Sequence, residues 1–266
     1  MRYQWRAKDH TIEVTDTNGV VVASAWVELD LRAEHEYRAY LHGEVVPEYR
    51  RQGLGSYMMN WMESQAHQFF ATLPNDRPCV LRIMFTDSRQ DAVELYEKFG
   101  FQFFLAEDEM HRDLKQPIPS ISLPTGMNFV PWSPGYAFQV YNDAFRDRPG
   151  FPNWTEAVWR QNFTGFDTFR PELSLMVMAG EQPAAYAVSA VESNQGWIVQ
   201  MGVRPAFRNK GVGGTVLAEA MRRFKTEGLD TAALEVNVNN PQAARLYERF
   251  GFVLVKRVTI YHKVVR

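Results

Sequence analysis

A short basic loop with two glycines is the part of this sequence best suited to binding an anion. Residues 208–213 (RNKGVG) follow strand-forming residues and precede apolar residues at helical spacing. Glycines between a strand and a helix let main-chain amides approach a ligand, and the helix dipole adds partial positive charge. Phosphate is the ligand that this arrangement favours, with Arg208 and Lys210 as nearby cations.

The same loop occurs earlier in the chain, which indicates an internal repeat. Residues 47–55 and 205–213 both read P-x-x-R-x-x-G-x-G, and residues 95–101 (LYEKFGF) are matched by residues 246–252 (LYERFGF). The first glycines are 158 apart (211 minus 53) and the tyrosines 151 apart (247 minus 96). Two echoes in the same order predict a duplicated domain, with seven extra residues between the motifs of the first copy.

Other nucleotide-binding motifs are absent from both loops. The dinucleotide pattern G-x-G-x-x-G fails because Met58 and Val216 occupy its third glycine position, and neither loop has a P-loop lysine. Hydride transfer and phosphoryl transfer are therefore disfavoured.

Composition narrows the class of protein further. The 266 residues include 45% hydrophobic and 23% charged residues, and a net charge of −2 offers no general attraction for nucleic acid or anionic lipid. A single cysteine, Cys79, excludes an internal disulfide and a multi-cysteine zinc site. Five prolines interrupt the longest uncharged stretch, residues 116–142. We expect a soluble cytoplasmic protein that binds no metal, nucleic acid or membrane.

Two domains joined by a proline-rich linker are expected, at residues 1–115, 116–126 and 127–266. In the second domain the pattern predicts a hairpin at 173–191, a strand at 197–203, a helix from 212, a strand at 232–238 and a helix opened by Asn240. A closing hairpin at 253–265 follows. Amphipathic helices at 135–145 and 155–163 have no counterpart in the first copy, which is predicted to lack this front helical segment.

Each copy resembles the GNAT superfamily of acyl-CoA-dependent N-acyltransferases. That family combines a V-x-P-x-x-[RQ]-x-x-G-x-[GA] loop with a later N-x-x-A-x-x-[LI]-Y-x-x-x-G-F helix. The second copy matches both motifs, through Val203, Pro205, Arg208, Gly211, Gly213, Asn240, Ala243, Leu246, Tyr247, Gly251 and Phe252. The resemblance spans residues 11–113 and 127–265, and it implies an α/β fold with a mixed sheet in two tandem domains.

The resemblance also implies how acetyl-CoA would be held as co-substrate. Main-chain amides of the glycine loop would surround the pyrophosphate, the preceding strand would pair with the pantetheine arm, and a bulge near residues 201–203 would leave an amide free for the thioester carbonyl. The residues implied are Met201, Val203, Arg208, Asn209, Lys210, Gly211, Val212, Gly213, Gly214, Thr215 and Asn240, with Arg50, Gly53 and Gly55 in the first copy.

Tyr247 is the family's usual general acid by the same resemblance. A phenol, with a pKa near 10, can protonate a departing thiolate without being ionised first at neutral pH. Simpler explanations stay open: Tyr247 as a core residue, Asn240 as a helix cap only, and Arg208 and Lys210 as a solvated surface pair. Cys79 is expected to be buried, which favours direct attack by the amine.

The general base is not evident from the sequence. Alternation along the strand before the glycine loop places Trp197, Val199 and Met201 on one face, and Ile198 and Gln200 on the other. No carboxylate is present there, so Glu235 on the following strand is the fallback catalytic candidate. A water chain, a weakly basic acceptor amine, or a contribution from Glu192 or His262 are open alternatives.

The first copy departs from the family pattern. Arg89 stands where the family has asparagine and Met84 where the strand has a glutamate, although Arg50, Gly53, Gly55 and Tyr96 are kept. We expect a degenerate, chiefly structural domain, and whether it holds coenzyme A is left open.

The acceptor side of the second copy is rich in aromatic residues and arginines. Trp132, Tyr141, Phe151, Trp154 and Trp159 belong to this set and are expected to be mostly core. Arg146, Arg148, Arg160 and Arg170 lie among them and suggest an acidic or flat acceptor.

The sequence therefore predicts transfer of an acetyl group from acetyl-CoA to a primary amine of a small molecule or peptide, catalysed in the second domain. The missing base motivates an alternative, a non-catalytic acyl-CoA sensor or scaffold.

Overall fold

A computed structural model describes residues 4–8, 10–30, 35–147 and 154–266. The chain forms two compact units, residues 1–107 with 256–266, and residues 108–255. Both are built on β-sheets with helices packed against them, so the predicted α/β fold is confirmed.

The first unit contains a mixed sheet and two helices. Its elements are β1 (Gln4–Lys8), β2 (Thr11–Thr15), β3 (Val21–Asp30), β4 (Tyr37–Val45), α1 (Leu54–Phe70), β5 (Cys79–Thr86), α2 (Val93–Lys98), the first half of β6 (Gln102–Asp113) and most of β12 (Val253–Val264). Its sheet order is β1-β2-β3-β4-β5-β12, and β4 and β5 run parallel. Within the described residues, no α-helix precedes α1, as the sequence predicted; only a single 3-10 turn, Pro47–Tyr49, lies before it.

The second unit has the fuller set of helices. Its sheet order is β6-β11-β10-β9-β8-β7. Its remaining elements are β7 (Met127–Val130), α3 (Pro134–Phe145), α4 (Glu156–Thr164), β8 (Leu175–Ala179), β9 (Gln182–Glu192), β10 (Gln195–Val203), α5 (Val212–Thr226), β11 (Thr231–Asn237) and α6 (Pro241–Arg249).

Helices cover the second unit's sheet on both faces. Val216, Leu217 and Met221 of α5 are fully buried in one apolar cluster, which also contains Ile198 of β10. Trp159 of α4 is fully buried in another, together with residues of α3. Burying both faces stabilises the sheet and holds its central strands, which carry the site, in a fixed position.

The last strand differs from the sequence-based expectation. Residues 253–265 do not form a hairpin: they form one long strand, because no glycine, proline or asparagine interrupts them. Val258–Val264 of this strand pair antiparallel with β5, from Thr86 back to Val80. The first unit therefore takes its closing strand from the end of the chain, while β6 contributes to the second unit from Asp108 on. The domain boundaries at residues 115 and 127 remain predictions.

The proline-rich segment 116–126 has no regular secondary structure. It belongs to the second unit, where Ile118, Ile121 and Leu123 pack against the α5-side core. Arg222 of α5 also donates a hydrogen bond to the Pro119 carbonyl, at 3.1 Å. The segment thus packs against the apolar core of the second unit and is bonded to α5.

Candidate active site

In the middle of the second unit's sheet, two parallel strands pair over a few residues and then separate. Within the described residues, β10 and β11 pair from Gly196 to Ile198 with Ala232 to Leu234, and no pairing follows. Both strands nevertheless continue, to Val203 and Asn237. Main-chain groups of the two strands therefore face an opening, which an extended ligand can enter as an added strand does.

A β-bulge lies at the start of this opening. The pairing of β10 with β9 shifts by one residue between Ile198 and Gln200, so Val199 is the extra residue. From the sequence, the bulge is expected near residues 201–203, and alternation places Gln200 with Ile198 and Met201 with Trp197. These expectations are wrong: the bulge lies at Val199, and the inserted residue turns Gln200 to the face of Val199 and Met201 to the face of Ile198. Ile198 packs on the α5 side, whereas Gln200 Oε1 accepts a hydrogen bond from Trp159 Nε1 on α4, at 3.0 Å.

The glycine loop turns directly into α5. Asn209 (φ 59°) and Gly211 (φ 81°) both adopt left-handed backbone conformations, and Gly211 occupies the position before the helix. Helical bonding begins when the Thr215 amide donates to the Gly211 carbonyl, at 3.0 Å. The preceding amides, those of Val212, Gly213 and Gly214, have no partner inside the helix. No side chain caps this end, which leaves these amides suited to an anion.

The basic side chains of the loop are engaged with main-chain carbonyls. Arg208 donates through Nε to Val203 O (3.1 Å) and through Nη2 to Ala144 O at the end of α3 (2.6 Å). Lys210 Nζ donates to Ala206 O, at 3.0 Å. Arg208 therefore ties the loop to the end of β10 and to α3, and the anion is expected to meet the amides first.

Helix α6 lies against this loop. Its cap, Asn240, accepts a bond from the Ala243 amide through Oδ1 (3.3 Å), and its Nδ2 has no partner among the described residues. A Cβ at Gly213 would lie 3.6 Å from Leu246, and one at Gly214 would lie 3.0 Å from Phe250. Tyr247, next to Leu246, is 8% exposed and packs against Phe252 with ring centroids 6.0 Å apart.

The remaining predicted site residues lie around the opening. Glu235 is exposed and immediately follows Leu234, the last residue of β11 paired with β10. Met201 and Val203 pack against the α5-side core. The Thr215 hydroxyl contacts Gly211 O and Ser122 O, at 3.2 and 3.3 Å. The assignments of these residues to catalysis or to the cofactor stay predictions.

A buried aromatic cluster on the α3 and α4 side was recognised in the sequence only as core. Tyr186 donates its hydroxyl to Gln200 Oε1, the same oxygen that Trp159 binds. Burial raises the pKa of Tyr186 well above its usual value, so this phenol stays protonated. The polar end of Gln200 is thereby oriented from two sides. The bulge, which the residue pattern did not locate, brings these groups together.

The arginines near this cluster bind neighbouring groups. Arg146 pairs with Asp143 (3.1 Å), Arg160 donates through Nε to Glu156 (2.9 Å), and Arg170 donates to the Asp167 carbonyl (2.8 Å). These contacts give the arginines local partners, and the acidic or flat acceptor stays a prediction. Arg148 and Phe151, named with this set, lie outside the described residues.

The first unit has the same parts, with an arginine between its two strands. Strand β4 pairs with β5 from Tyr37 to Tyr40 and then parts from it, next to a cavity of about 50 Å³. The Arg89 guanidinium reaches across this gap and donates to Gly43 O at 3.4 Å. A Cβ at Gly55 would lie only 2.9 Å from Leu95.

His262, one of the open candidates for the base, belongs to the first unit. It lies opposite Arg82 of β5, and its ring stacks on Phe104 with centroids 4.7 Å apart.

Two family models match the chain in tandem. The model described as acetyltransferase (GNAT) family matches residues 136–252, and the one described as acetyltransferase (GNAT) domain matches residues 8–103. The chain belongs to the GNAT family of acetyltransferases. The two matches cover most of the chain, so the tandem GNAT arrangement expected from the repeated motifs is confirmed.

Curated relatives include mycothiol acetyltransferases. The protein from Thermobispora bispora is 29% identical over 171 residues, covering 60% of this chain and 58% of the relative. The one from Streptomyces scabiei is 27% identical over 188 residues, covering 68% and 61%. The matches thus span about 60% of the length of these relatives. A [ribosomal protein bS18]-alanine N-acetyltransferase from Salmonella typhimurium is 32% identical over 80 residues, covering 30% and 54%.

Solved structures share the GNAT fold over nearly the whole chain. A GCN5-related N-acetyltransferase from Sphaerobacter thermophilus has a TM-score of 0.77 at 24% identity, covering 97% of this chain and 81% of its own. A tandem GNAT protein from the clavulanic acid biosynthesis pathway has a TM-score of 0.63 at 16% identity, covering 97% and 84%.

The described residues contain neither a membrane-spanning helix nor a cluster of metal ligands. No helix there is both long and apolar enough to cross a membrane. The same residues contain no group of three or more histidine, cysteine, aspartate or glutamate side chains placed to hold a metal ion.

Proposed function

We propose that this protein is an acetyl-CoA-dependent N-acetyltransferase that acetylates a primary amine of a small-molecule or peptide acceptor, with the chemistry in the second unit. The observation that carries the proposal is the opening between β10 and β11, bordered by the uncapped N-terminus of α5. A diphosphate and an extended arm need these two features side by side. We also propose a cytoplasmic location, where a single buried cysteine such as Cys79 stays reduced.

The second unit's residues fit the parts of coenzyme A. The amides of Val212, Gly213 and Gly214 would receive the pyrophosphate, and main-chain groups of residues 199–203 and 235–237 would bind the pantetheine arm. Asn240 Nδ2 is an additional donor beside the loop. Arg208 would act indirectly, by holding the loop against β10.

The reaction is direct acyl transfer. The amine nitrogen attacks the thioester carbonyl carbon, a main-chain amide at the Val199 bulge stabilises the oxygen that becomes negative, and the carbon–sulfur bond then breaks. The departing thiolate takes a proton from the Tyr247 phenol.

The relatives and the site support this kind of acceptor. The relatives are named for acetylation of mycothiol and of an alanine of a ribosomal protein. Both names are compatible with an amine acceptor, which would approach from the α3 and α4 side, where Gln200 is held by Trp159 and Tyr186.

Release of free thiol tests the proposal. Purified protein is incubated with acetyl-CoA and a panel of small amines and peptides with free N-termini, and thiol is measured with and without each amine. We expect amine-dependent thiol release together with acetylated product. Binding of acetyl-CoA by calorimetry without thiol release would instead support the acyl-CoA sensor, and absence of binding would overturn both.

A further inference from the structure

A histidine and a carboxylate of the second unit form a pair that the proposed chemistry has not yet used. Glu109 and His111 lie on β6, and Glu109 Oε1 is 2.7 Å from His111 Nε2. Glu109 is buried, at 8% exposure, while about a fifth of the His111 side chain is exposed. A buried carboxylate bound to one nitrogen of a partly exposed imidazole is an arrangement suited to proton transfer.

The strand order brings this pair to the catalytic part of the sheet. The Leu114 amide, just after β6, donates to the carbonyl of Asp230, just before β11, at 2.8 Å. β6 therefore runs along β11, which separates it from β10. His111 meets Trp197 of β10 edge to face, with ring centroids 6.1 Å apart. Trp197 pairs with Ala233 of β11, whose small side chain leaves room for this contact.

The pair lies on the acceptor face of the sheet. Ile198 points into the α5-side core, so its neighbour Trp197 points to the opposite face, and His111 lies there with it. That is the face of α3, α4 and Gln200. Trp197 is two residues, roughly 7 Å of strand, from the Val199 bulge where the opening begins. His111 thus lies on the face of the sheet from which an acceptor amine would approach.

The geometry determines which nitrogen of His111 can accept a proton. With Nε2–H donated to the Glu109 carboxylate, the lone pair of the neutral ring is on Nδ1. Within the described residues, Nδ1 has no hydrogen-bond partner and is not among the buried unpaired atoms. The carboxylate holds the ring in one tautomer and stabilises the imidazolium that forms.

We infer that His111 is the general base for the acceptor amine and that Glu109 positions it. As the nitrogen–carbon bond forms, the amine proton passes to His111 Nδ1. The carbon–sulfur bond then breaks, and the thiolate takes the Tyr247 proton. Water afterwards takes the proton from the imidazolium and returns one to the phenolate. This inference rests on the proposed function and supplies the base that β10 lacks.

A matched control exists in the first unit. His262 lies on β12 at the position equivalent to His111, 151 residues later (262 minus 111), and Ile260 stands where β6 has Glu109. His262 lies beside Arg82 and has no carboxylate two residues before it. Replacing it changes the same residue type at the same position of the repeat, outside the catalytic unit.

The test compares His111→Gln, His111→Gly and His262→Gln in the full chain, using an amine that the wild-type protein acetylates. We expect kcat to fall about 10²- to 10⁴-fold in both His111 variants, the range for general catalysis, with unchanged acetyl-CoA affinity by calorimetry. Added imidazole should restore turnover in His111→Gly and not in His111→Gln. His262→Gln should keep wild-type kcat, and Glu109→Gln should lower kcat less than either His111 variant.

The outcomes separate the two proposals. Wild-type kcat in His111→Gln would overturn the base assignment and leave the acetyltransferase proposal standing. Loss of activity in His111→Gly without imidazole rescue, at wild-type acetyl-CoA affinity, would show a structural role and also overturn it. A wild-type protein that releases no thiol with any amine would overturn the proposed function, and the base assignment with it.

Discussion

The two units keep the same loop and differ in what surrounds it. Arg50 and Arg208 each donate through Nε to the carbonyl of a valine five residues earlier, both at 3.1 Å. Next to this shared hydrogen bond, the pairing of β9 with β10 contains a bulge. The pairing of β3 with β4 is continuous from Ala23–Val45 to Asp30–Arg38. The loop and its tie to the preceding strand are therefore common to both units, whereas of these two strand pairs only β9 with β10 has a bulge beside it.

The two closing strands extend the comparison to the candidate base. Because β12 joins β5 and β6 joins the second unit, the equivalent histidines lie in different surroundings. His262 faces an arginine, and His111 has a carboxylate partner and a tryptophan neighbour. The two similar strands thus place their histidines in different chemical surroundings, because each strand belongs to a different unit.

Replacing the equivalent tyrosine of each unit by phenylalanine should give the largest difference in turnover between the units. Tyr247→Phe removes the proposed proton donor, and we expect turnover to fall about 10- to 10⁴-fold with acetyl-CoA affinity nearly unchanged. Tyr96→Phe should leave turnover unchanged. Tyr96 lies in the first unit, where burial raises its pKa. Steady-state kinetics and calorimetry measure both effects, and equal activity in the two variants would remove Tyr247 from the mechanism.

Binding stoichiometry gives the next test. In the first unit the Arg89 guanidinium bonds Gly43 O of β4, where a pantetheine arm would have to pair with this strand. Calorimetry with coenzyme A should therefore find one molecule per chain. Two molecules per chain would show that the first unit opens on binding, and would contradict the comparison.

Replacing either loop glycine should lower the unfolding free energy by a similar amount, whereas only one of the two replacements should weaken coenzyme A binding. Gly53 (φ 88°) and Gly211 (φ 81°) are both left-handed, and a Cβ at either would meet no atom within 4 Å. Alanine at either position should cost about 1–2 kcal/mol of unfolding free energy, from backbone strain alone. Urea unfolding measures this cost. Only Gly211→Ala should weaken coenzyme A binding, and an equal effect of Gly53→Ala would place a site in the first unit.

The smallest expected effect is a pH dependence of stability. Burial, aided by the Arg82 charge, lowers the pKa of His262 in the folded state. As pH falls through about 6.5, the usual histidine pKa, the unfolded chain takes up a proton that the folded chain does not. His262 therefore lowers the unfolding free energy as the pH falls below this value, and has no such effect at pH 7.5.

His262→Gln should remove part of this acid-induced loss, measured by urea unfolding at pH 7.5 and 5.5. His67→Gln, at an exposed position of α1, is the control. An unchanged pH dependence in His262→Gln would show that another group causes the loss.

Much of the fold could be predicted because its signals are local. Glycine at 211, the Asn240 cap and the helical spacing of apolar residues in α5 act over a few residues, and the structure has each of them. The position of the bulge was predicted wrongly, because a single inserted residue changes the hydrogen-bond register with β9 without changing the composition of the strand. For the same reason, the hydrogen bonds from Trp159 and Tyr186 to Gln200 were not predicted.

The sequence by itself determined that the chain contains two related domains with a glycine loop and a tyrosine helix in each. Only the tertiary structure decided which sheet receives each closing strand. β6 and β12 have the same length and equivalent positions, so either could pair beside β5 or β11 by local pattern alone. Pairing between strands far apart in sequence depends on the packing of the whole chain, and here it places His111 in one unit and His262 in the other.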